Sequence, residues 1–340
     1  MSLITKKNIL LTGAGFTANF GGLLAREMWA KIFNNPKTYS LVGIKELLRK
    51  NFDFESVYAS VKNSSSFIDT DKLIFQNIVQ ESYASMDNSL KNYYFGGFGK
   101  FNINISGVSQ LLGSFAGQRG ERGAHFTLNQ DLFIERQTGV IPLGLPMYQY
   151  REYGDRIQQG QIDSTDLVNL PDEDFLNNFK DKHQSSVGDS CFIKLHGSIG
   201  WVSDGGSQMI LGTNKLEDIN KEPLLKWYFE LFKEAISRPG VRLFIIGYGF
   251  RDQHVNDIIL KAMNENNLKI YIISPEDPSV LKTRLLKDPC LVIDSQTIPP
   301  INEKIWDAVN GYFPYTLKDI FPGDQTVTGT YLDIKKILNL

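Results

Sequence analysis

His196 closes the apolar run Cys191–Leu195 and is followed at once by Gly197 and Ser198, so a sharp turn there would leave an imidazole at the end of a strand. Imidazole is the side chain best matched to proton transfer near neutral pH. A single histidine at a strand end also serves as a structural hydrogen-bonding group, and both readings stand. Asn129 and Asp131 follow a second apolar run, His125–Leu128. A carboxamide in that place can bind sugar hydroxyls or orient a water. Asp131 equally suits the cap of a helix beginning near Leu132, and Asn129, two residues earlier, is the harder of the two to explain as a cap. Gly13, Ala14 and Gly15, with Phe16 and Thr17 behind them, follow the apolar run Asn8–Thr12. Small residues there either let backbone N–H groups approach a pyrophosphate or simply make a tight turn. Gly247, Tyr248 and Gly249 close the run Val241–Ile246 and allow another close approach. Ser274 and Glu276 end the next run with a carboxylate suited to ribose hydroxyls or to a solvated turn.

Other chemistries are disfavoured by what the residues lack. The chain has four histidines and two cysteines, and none forms a pair at metal-ligand spacing, so no metal is expected. His125 reads as a strand residue, His183 as part of a polar loop and His254 as lying near a helix start. Ser198 lacks the nucleophile-elbow pattern, and no Walker sequence occurs, which argues against a serine hydrolase and an NTPase.

The elements that must position these residues alternate. Leu24, Met28 and Ile32 predict an amphipathic helix after the first glycine turn. Residues 37–90 read as helical, with Asp71 as an N-cap, and Pro223–Ser237 and a helix capped by Asp252 flank the strongest strand. Six strand candidates, the last of them Leu268–Ile273 and Cys290–Ile293, alternate with helices. That order predicts an α/β fold, a Rossmann-like doubly wound parallel sheet with a helical insertion, whose ligands lie at the carboxyl ends of the strands. Every candidate residue above falls at such an end. The segment 93–120, aromatic and glycine-rich, suits a mobile cover or interaction loop better than a core element.

Composition bounds the rest. With 340 residues and 42% apolar content the chain must bury a substantial core, and the net charge of −2 gives no positive field for a phosphate backbone. Direct nucleic-acid binding is not expected. Two cysteines make no disulfide framework, which fits a reducing, cytoplasmic setting, and no stretch approaches the roughly 20 apolar residues of a membrane helix.

Four blocks in order, GAGFTANFGG (13–22), TLNQDLFIE (127–135), KLHGSIGW (194–201) and IIGYGFRDQHVNDII (245–259), resemble the motif series of SIR2-like domains, and within them the bacterial NAD+-consuming effectors of phage defence. The resemblance implies that residues 1–36 and 121–300 form the core, with an insertion at about 137–190. Residues 37–120 would be a helical and aromatic insertion and 301–340 a C-terminal extension. It implies that Asn129 is the catalytic asparagine, His196 the catalytic histidine and Asp131 the acidic partner. Gly13, Ala14 and Gly15 match the family's NAD+ loop, which Phe16 and Thr17 would continue, and Gly247, Tyr248, Gly249, Ser274 and Glu276 are expected from their places at strand ends to complete the contacts. The implied activity is hydrolysis of NAD+, as substrate, to nicotinamide and ADP-ribose. The implied partners are further copies of the chain, an ATPase or a phage sensor, with 93–120 and 137–190 as contact segments. The paired cysteines of the deacylase zinc module and the Pro-Asp-Phe-Arg stretch are missing. Their absence weakens protein deacylation, which remains an alternative together with ADP-ribosyl transfer and non-catalytic NAD+ or ADP-ribose sensing. A dehydrogenase is disfavoured because the glycine turn is not GxGxxG.

Overall fold

A computed structural model describes residues 4–95, 102–117, 120–145, 167–183, 190–203, 206–212, 215–287, 292–293, 296–297 and 303–339. Its strands are β1 (Asn8–Thr12), β2 (Gly123–Thr127), β3 (Val168–Asn169), β4 (Ser190–Lys194), β5 (Gly197–Ser203), β6 (Gly206–Met209), β7 (Arg242–Ile246), β8 (Lys269–Ile273), β9 (Val292–Ile293), β10 (Gln296–Thr297) and β11 (Val309–Phe313). Six of them form one sheet in the order β11-β8-β7-β1-β2-β4, and every adjacent pair is parallel. The chain therefore builds outward from β1 through β2 to β4, returns beside β1 as β7, and builds outward again through β8 to β11. The expected doubly wound α/β sheet is present, and its direction reverses between β1 and β7, where such sheets open a crevice at the strands' carboxyl ends.

The strands form here because their residues can be buried on both faces, which is what a central parallel strand requires. All five residues of β1 are buried. With side chains alternating across the sheet, Ile9 and Leu11 join Phe126, Ile193, Leu243 and Ile245 in one core with the helices Pro223–Ile236 and Gln253–Asn266. Leu10 points the other way, into a second core with Phe192, Phe244 and Ile273. A third apolar cluster lies within the helices between residues 25 and 95, where Ile32, Leu48, Val57 and Ile78 pack together and against Ile199 and Leu211.

Several expectations need correction. The sixth strand of the sheet is Val309–Phe313, paired to β8, and not the run ending at Ile293. Val292–Ile293 instead pairs antiparallel with Gln296–Thr297 in a separate two-strand ribbon, and Cys290 lies outside the described residues. β11 escaped the reading because it is an edge strand, with only one neighbour and no fully buried residue, and because Gly311 interrupts its apolar pattern. A Cβ on Gly311 would meet the Tyr271 ring at 2.6 Å, so the glycine is required by packing against the neighbouring strand.

The described part of 93–120 is also a core element. The helix Ile105–Gly113 buries Val108, Leu111 and Leu112 in the second core, and residues 96–101 and 118–119 of that segment lie outside the described set. The last helix, Gly329–Leu338, adds Ile334 and Leu338 to the same core, and Asn8 donates to the Leu338 carbonyl at 3.1 Å. His183 ends the helix Glu173–His183, so it is not in a loop. The long helix begins at Asp69, with Asp71 inside its first turn where its charge meets the N-terminal dipole. Residues 146–166 and 184–189 of the 137–190 insertion lie outside the described residues.

Candidate active site

The sheet's reversal point is occupied by the two glycine turns, and they pack on each other. Gly15 N–H donates to the Gly247 carbonyl at 2.9 Å, and Gly13 N–H donates to that of Ile246 at 3.1 Å. Gly247 has φ +67, and a Cβ there would lie 2.1 Å from the Phe16 nitrogen. A Cβ on Gly13 or Gly15 would likewise come within 2.8 Å of the Gly247–Tyr248 backbone. Close approach of one loop to the other thus explains why these positions are glycine, before any ligand is considered. Ala14 to Ala18 form a single short helix with Phe16 and Thr17 buried beneath it.

Asn129 reaches this junction from the neighbouring strand. Its Nδ2 donates to the Gly13 carbonyl at 3.1 Å and to Thr17 Oγ1 at 3.2 Å, and its own N–H is held by Thr127 Oγ1. A backbone carbonyl only accepts, so the amide orientation is fixed by its partner. Both donor hydrogens are spent within the fold, and only the carboxamide oxygen remains for a ligand. Toward a hydroxyl or a water, Asn129 could therefore act only as an acceptor.

His196 lies two residues past β4, level with Asn129 two residues past β2, because Thr127 and Lys194 are in register. The two loops are tied together. Ile199 N–H and Ser198 Oγ both donate to the Gln130 carbonyl, at 2.9 and 3.2 Å, and Gln130 Nε2 reaches the Ile210 carbonyl. Ile210 N–H in turn donates to the His196 carbonyl at 3.0 Å. Gly197, at φ +70, makes the turn that Gly alone takes without strain. The His196 ring is buried, stacked at 22° on Phe229, and burial pushes its pKa well below the ordinary value, so it is a neutral base at pH 7.

Asp131 takes the capping role. Its Oδ1 accepts from Phe133 N–H at 3.0 Å, at the start of the helix Phe133–Thr138. Burial pushes its carboxyl up to about 6, against the opposing pull of Lys194. Around it lies a buried ionic network in which Lys194 Nζ pairs with Glu135 at 2.7 Å and donates to the Asp131 carbonyl, while Arg136 makes a two-point contact to Asp87 at 2.9 and 2.6 Å. Asp87 also accepts from Leu132 N–H at 2.9 Å, so the long helix Asp69–Phe95 grips the loop that carries Asn129.

The remaining expected ligand contacts are engaged within their loops. Tyr248 is buried, and its hydroxyl donates to Asn256 Oδ1 at 2.9 Å and accepts from Asp252 N–H. Asn256 Nδ2 holds the carbonyl of Phe250, a non-glycine residue at φ +56. Glu276 pairs with Arg284 at 2.6 Å, and Arg284 also donates to the Gly249 carbonyl. Ser274 Oγ accepts from Glu276 N–H at 3.3 Å. Glu276 therefore braces the turns after β7 and β8.

One group of functional candidates was missed in the sequence. His254 Nε2 lies 2.9 Å from His196 Nε2, and nitrogen or oxygen atoms of His196, Asp252 and His254 all fall within 4.8 Å of one another. Asp252 is the N-cap residue of its helix by backbone position, but its carboxylate turns to Lys215 Nζ at 2.7 Å, and Lys215 pairs equally with Glu55 at 2.7 Å. Burial disfavours the Lys215 charge, yet the two carboxylates outweigh it and hold its pKa above the ordinary value. Burial pushes the Asp252 carboxyl upward, but the Lys215 ammonium, with the imidazoles, outweighs this and holds its pKa below the ordinary carboxylate range. Burial takes His254 down to about 4. Glu55 comes from the helix Phe54–Asn63, Lys215 from Lys215–Lys221 and Asp252 from the loop after β7, three elements far apart in sequence.

Residues 125–293 match the family model described as SIR2-like domain. The matched span holds Asn129, Asp131, His196, Asp252 and His254, whereas β1 and its glycine turn precede it. No curated protein matches the chain.

Proposed function

The chain carries a SIR2-like domain, a class that uses NAD+, and from that premise we propose that it hydrolyses NAD+ to nicotinamide and ADP-ribose. The reading is supported above all by one arrangement: at the sheet's reversal point the Asn129 amide is anchored to Gly13 and Thr17, and the neutral His196 imidazole stands on the adjoining strand's loop. NAD+ already carries a good leaving group, a cationic nicotinamide, so cleavage at the anomeric carbon passes through an oxocarbenium-like state. The protein's task is to orient the ribose and to direct one nucleophile. In this reading the Asn129 oxygen accepts from a ribose hydroxyl or from the attacking water. His196 takes the proton released by that water or hydroxyl. The turn Gly13–Thr17 and the turns ending at Gly249 and Glu276 frame the dinucleotide, and Asp131 positions the Asn129 loop from behind.

Protein deacylation is the weaker reading because the chain has two cysteines, too few for the two cysteine pairs of the deacylase zinc module. Unchecked NAD+ loss would poison its host, so we further propose a regulated effector of anti-phage defence that works in the cytoplasm, assembled with copies of itself or with an ATPase or phage sensor. The test is chromatographic identification of products after incubation with NAD+, alone and with the product of a neighbouring gene. Nicotinamide and ADP-ribose in equal amounts are expected. His196→Ala should lower the rate by about 10²–10⁴, the usual worth of a general base, with an unchanged far-ultraviolet dichroism spectrum. Undiminished nicotinamide release by His196→Ala would remove the proposed role. NAD+ consumption only in the presence of an acylated peptide would instead favour deacylation.

A further inference from the structure

The His196–His254 contact is a statement about protons. Two imidazole nitrogens 2.9 Å apart can be hydrogen-bonded only if one of them carries hydrogen and the other does not. Two neutral rings must therefore adopt opposite assignments at Nε2, and two fully protonated rings would bring N–H groups head to head. The pair holds at most one extra proton and titrates as a unit.

The charges facing the pair come from every side. Asp252 stands at the start of the helix that carries His254, Asp257 lies one turn further along it, and Lys215 approaches from the helix Lys215–Lys221. Glu55 holds Lys215 from the helix Phe54–Asn63, and the face toward Pro223–Ile236 is the apolar ring of Phe229. Two carboxylates, Glu55 and Asp252, oppose the single ammonium of Lys215. Asp252 and Asp257 favour a positive charge on the pair, whereas burial and Lys215 oppose it and keep both rings neutral at rest, so a proton gained during turnover is held only in passing.

We propose that His254 is a positioning residue for the hydrolysis inferred above: it keeps His196 in one tautomer and receives the proton that His196 passes on. His196 bears its hydrogen at Nε2 and donates it to His254 Nε2, while His254 bears its own at Nδ1. When the attacking water loses a proton to His196 Nδ1, the Nε2 hydrogen of His196 crosses to His254 Nε2. The water oxygen's electron pair forms the bond to the anomeric carbon, and the ribose–nicotinamide bond breaks with its electrons passing to the pyridinium ring. The positive charge ends on His254, beside Asp252.

The inference rests on the NAD+ reading for its chemistry but not for its geometry, so the two can fail separately. Histidine-selective nitrogen-15 labelling places only four residues in the spectrum, and single substitutions assign them. At pH 7 without NAD+, His254 is expected as the Nδ1–H tautomer and His196 as Nε2–H. Two Nε2–H rings, or two rings each averaging between tautomers, would overturn the proposal whatever the enzyme activity. His254→Gln supplies an oxygen that still accepts from His196 but cannot carry the proton onward, whereas His254→Phe keeps only the ring packing. His254→Gln should hold the His196 tautomer yet lower kcat by about 10- to 100-fold at nearly constant KM, and His254→Phe should lose both. Full kcat in His254→Gln, or an unaltered His196 signal together with full kcat in His254→Phe, would overturn it. If the parent releases no nicotinamide, the reaction reading falls while the tautomer assignment still decides the pairing.

Discussion

At the scale of single residues, hydrogen-bond direction narrows what each group can do. Asn129 gives both amide hydrogens to the fold, so exchanging that nitrogen for oxygen would set an acceptor against the Gly13 carbonyl 3.1 Å away. Asn129→Asp is therefore expected to destabilise the protein more than Asn129→Ala, by about 1–3 kcal/mol, the cost of a buried acceptor or charge left without a donor. Comparison of urea midpoints checks this, and an Asn129→Asp variant as stable as Asn129→Ala would show that the amide is not anchored as described. The same scale explains part of what was legible in advance. Asn129 and His196 stood out because a polar residue at the end of an apolar run has no reason to be there if the strand is merely buried. His254 did not stand out. It sits in a polar stretch where nothing local sets it apart, and only the packing of its helix against the β4 loop brings it to 2.9 Å from His196.

Elements set these distances, and two contacts between elements are open to direct challenge. The turn after β7 fits against the turn after β1 only because Gly247 has no side chain. Gly247→Ala combines a forbidden 2.1 Å approach with a φ of +67 and should cost several kcal/mol, on the order of 3 or more, or abolish soluble expression. Gly249→Ala, whose new Cβ would meet nothing closer than 3.9 Å, should be tolerated. Equal melting temperatures for the two would contradict the loop packing. The second contact is the Asp87–Arg136 pair, both side chains at most 1% exposed. Arg136→Met should destabilise by about 3–5 kcal/mol because it strands a buried carboxylate, and adding Asp87→Asn should recover part of that loss. Strict additivity in the double-mutant cycle would mean that the helix Asp69–Phe95 does not hold the Asn129 loop through this pair.

For the molecule as a whole, buried titratable groups tie stability to pH with opposite signs. His125, on β2 and bonded to Thr12, is pushed down to about 3 by burial, so below pH 6.5 the unfolded chain takes up a proton that the folded chain refuses. Stability from this source is complete above pH 6.5 and is lost as pH falls toward 3, by about 1.4 kcal/mol per unit. Asp131, pushed up to about 6, acts the other way: the folded chain binds a proton between 6 and the ordinary carboxylate range, and stability rises as pH falls through that window. The difference in unfolding free energy between the parent and His125→Gln isolates the first effect. It should shift against the parent between pH 6.5 and 4.5, and a difference independent of pH would show that His125 is not buried in its neutral form. Among the described residues no helix is long and apolar enough to cross a membrane.

The alternation of apolar runs with amphipathic helices, read along the chain, was enough to determine the doubly wound sheet, five of its six strands and the strand ends where Asn129 and His196 stand, because each of those features is written in neighbouring residues. What only the tertiary structure decided were the relations between distant segments. They include the glycine turns that need each other, the edge strand Val309–Phe313 whose pattern is too weak to read alone, and the Glu55–Lys215–Asp252 chain beside two imidazoles. The reason is physical: burial and hydrophobic period act locally and repeat along the sequence. A hydrogen bond or ion pair between residues 58 or 160 positions apart leaves no periodic trace, and arises only when packing removes water from both partners at once.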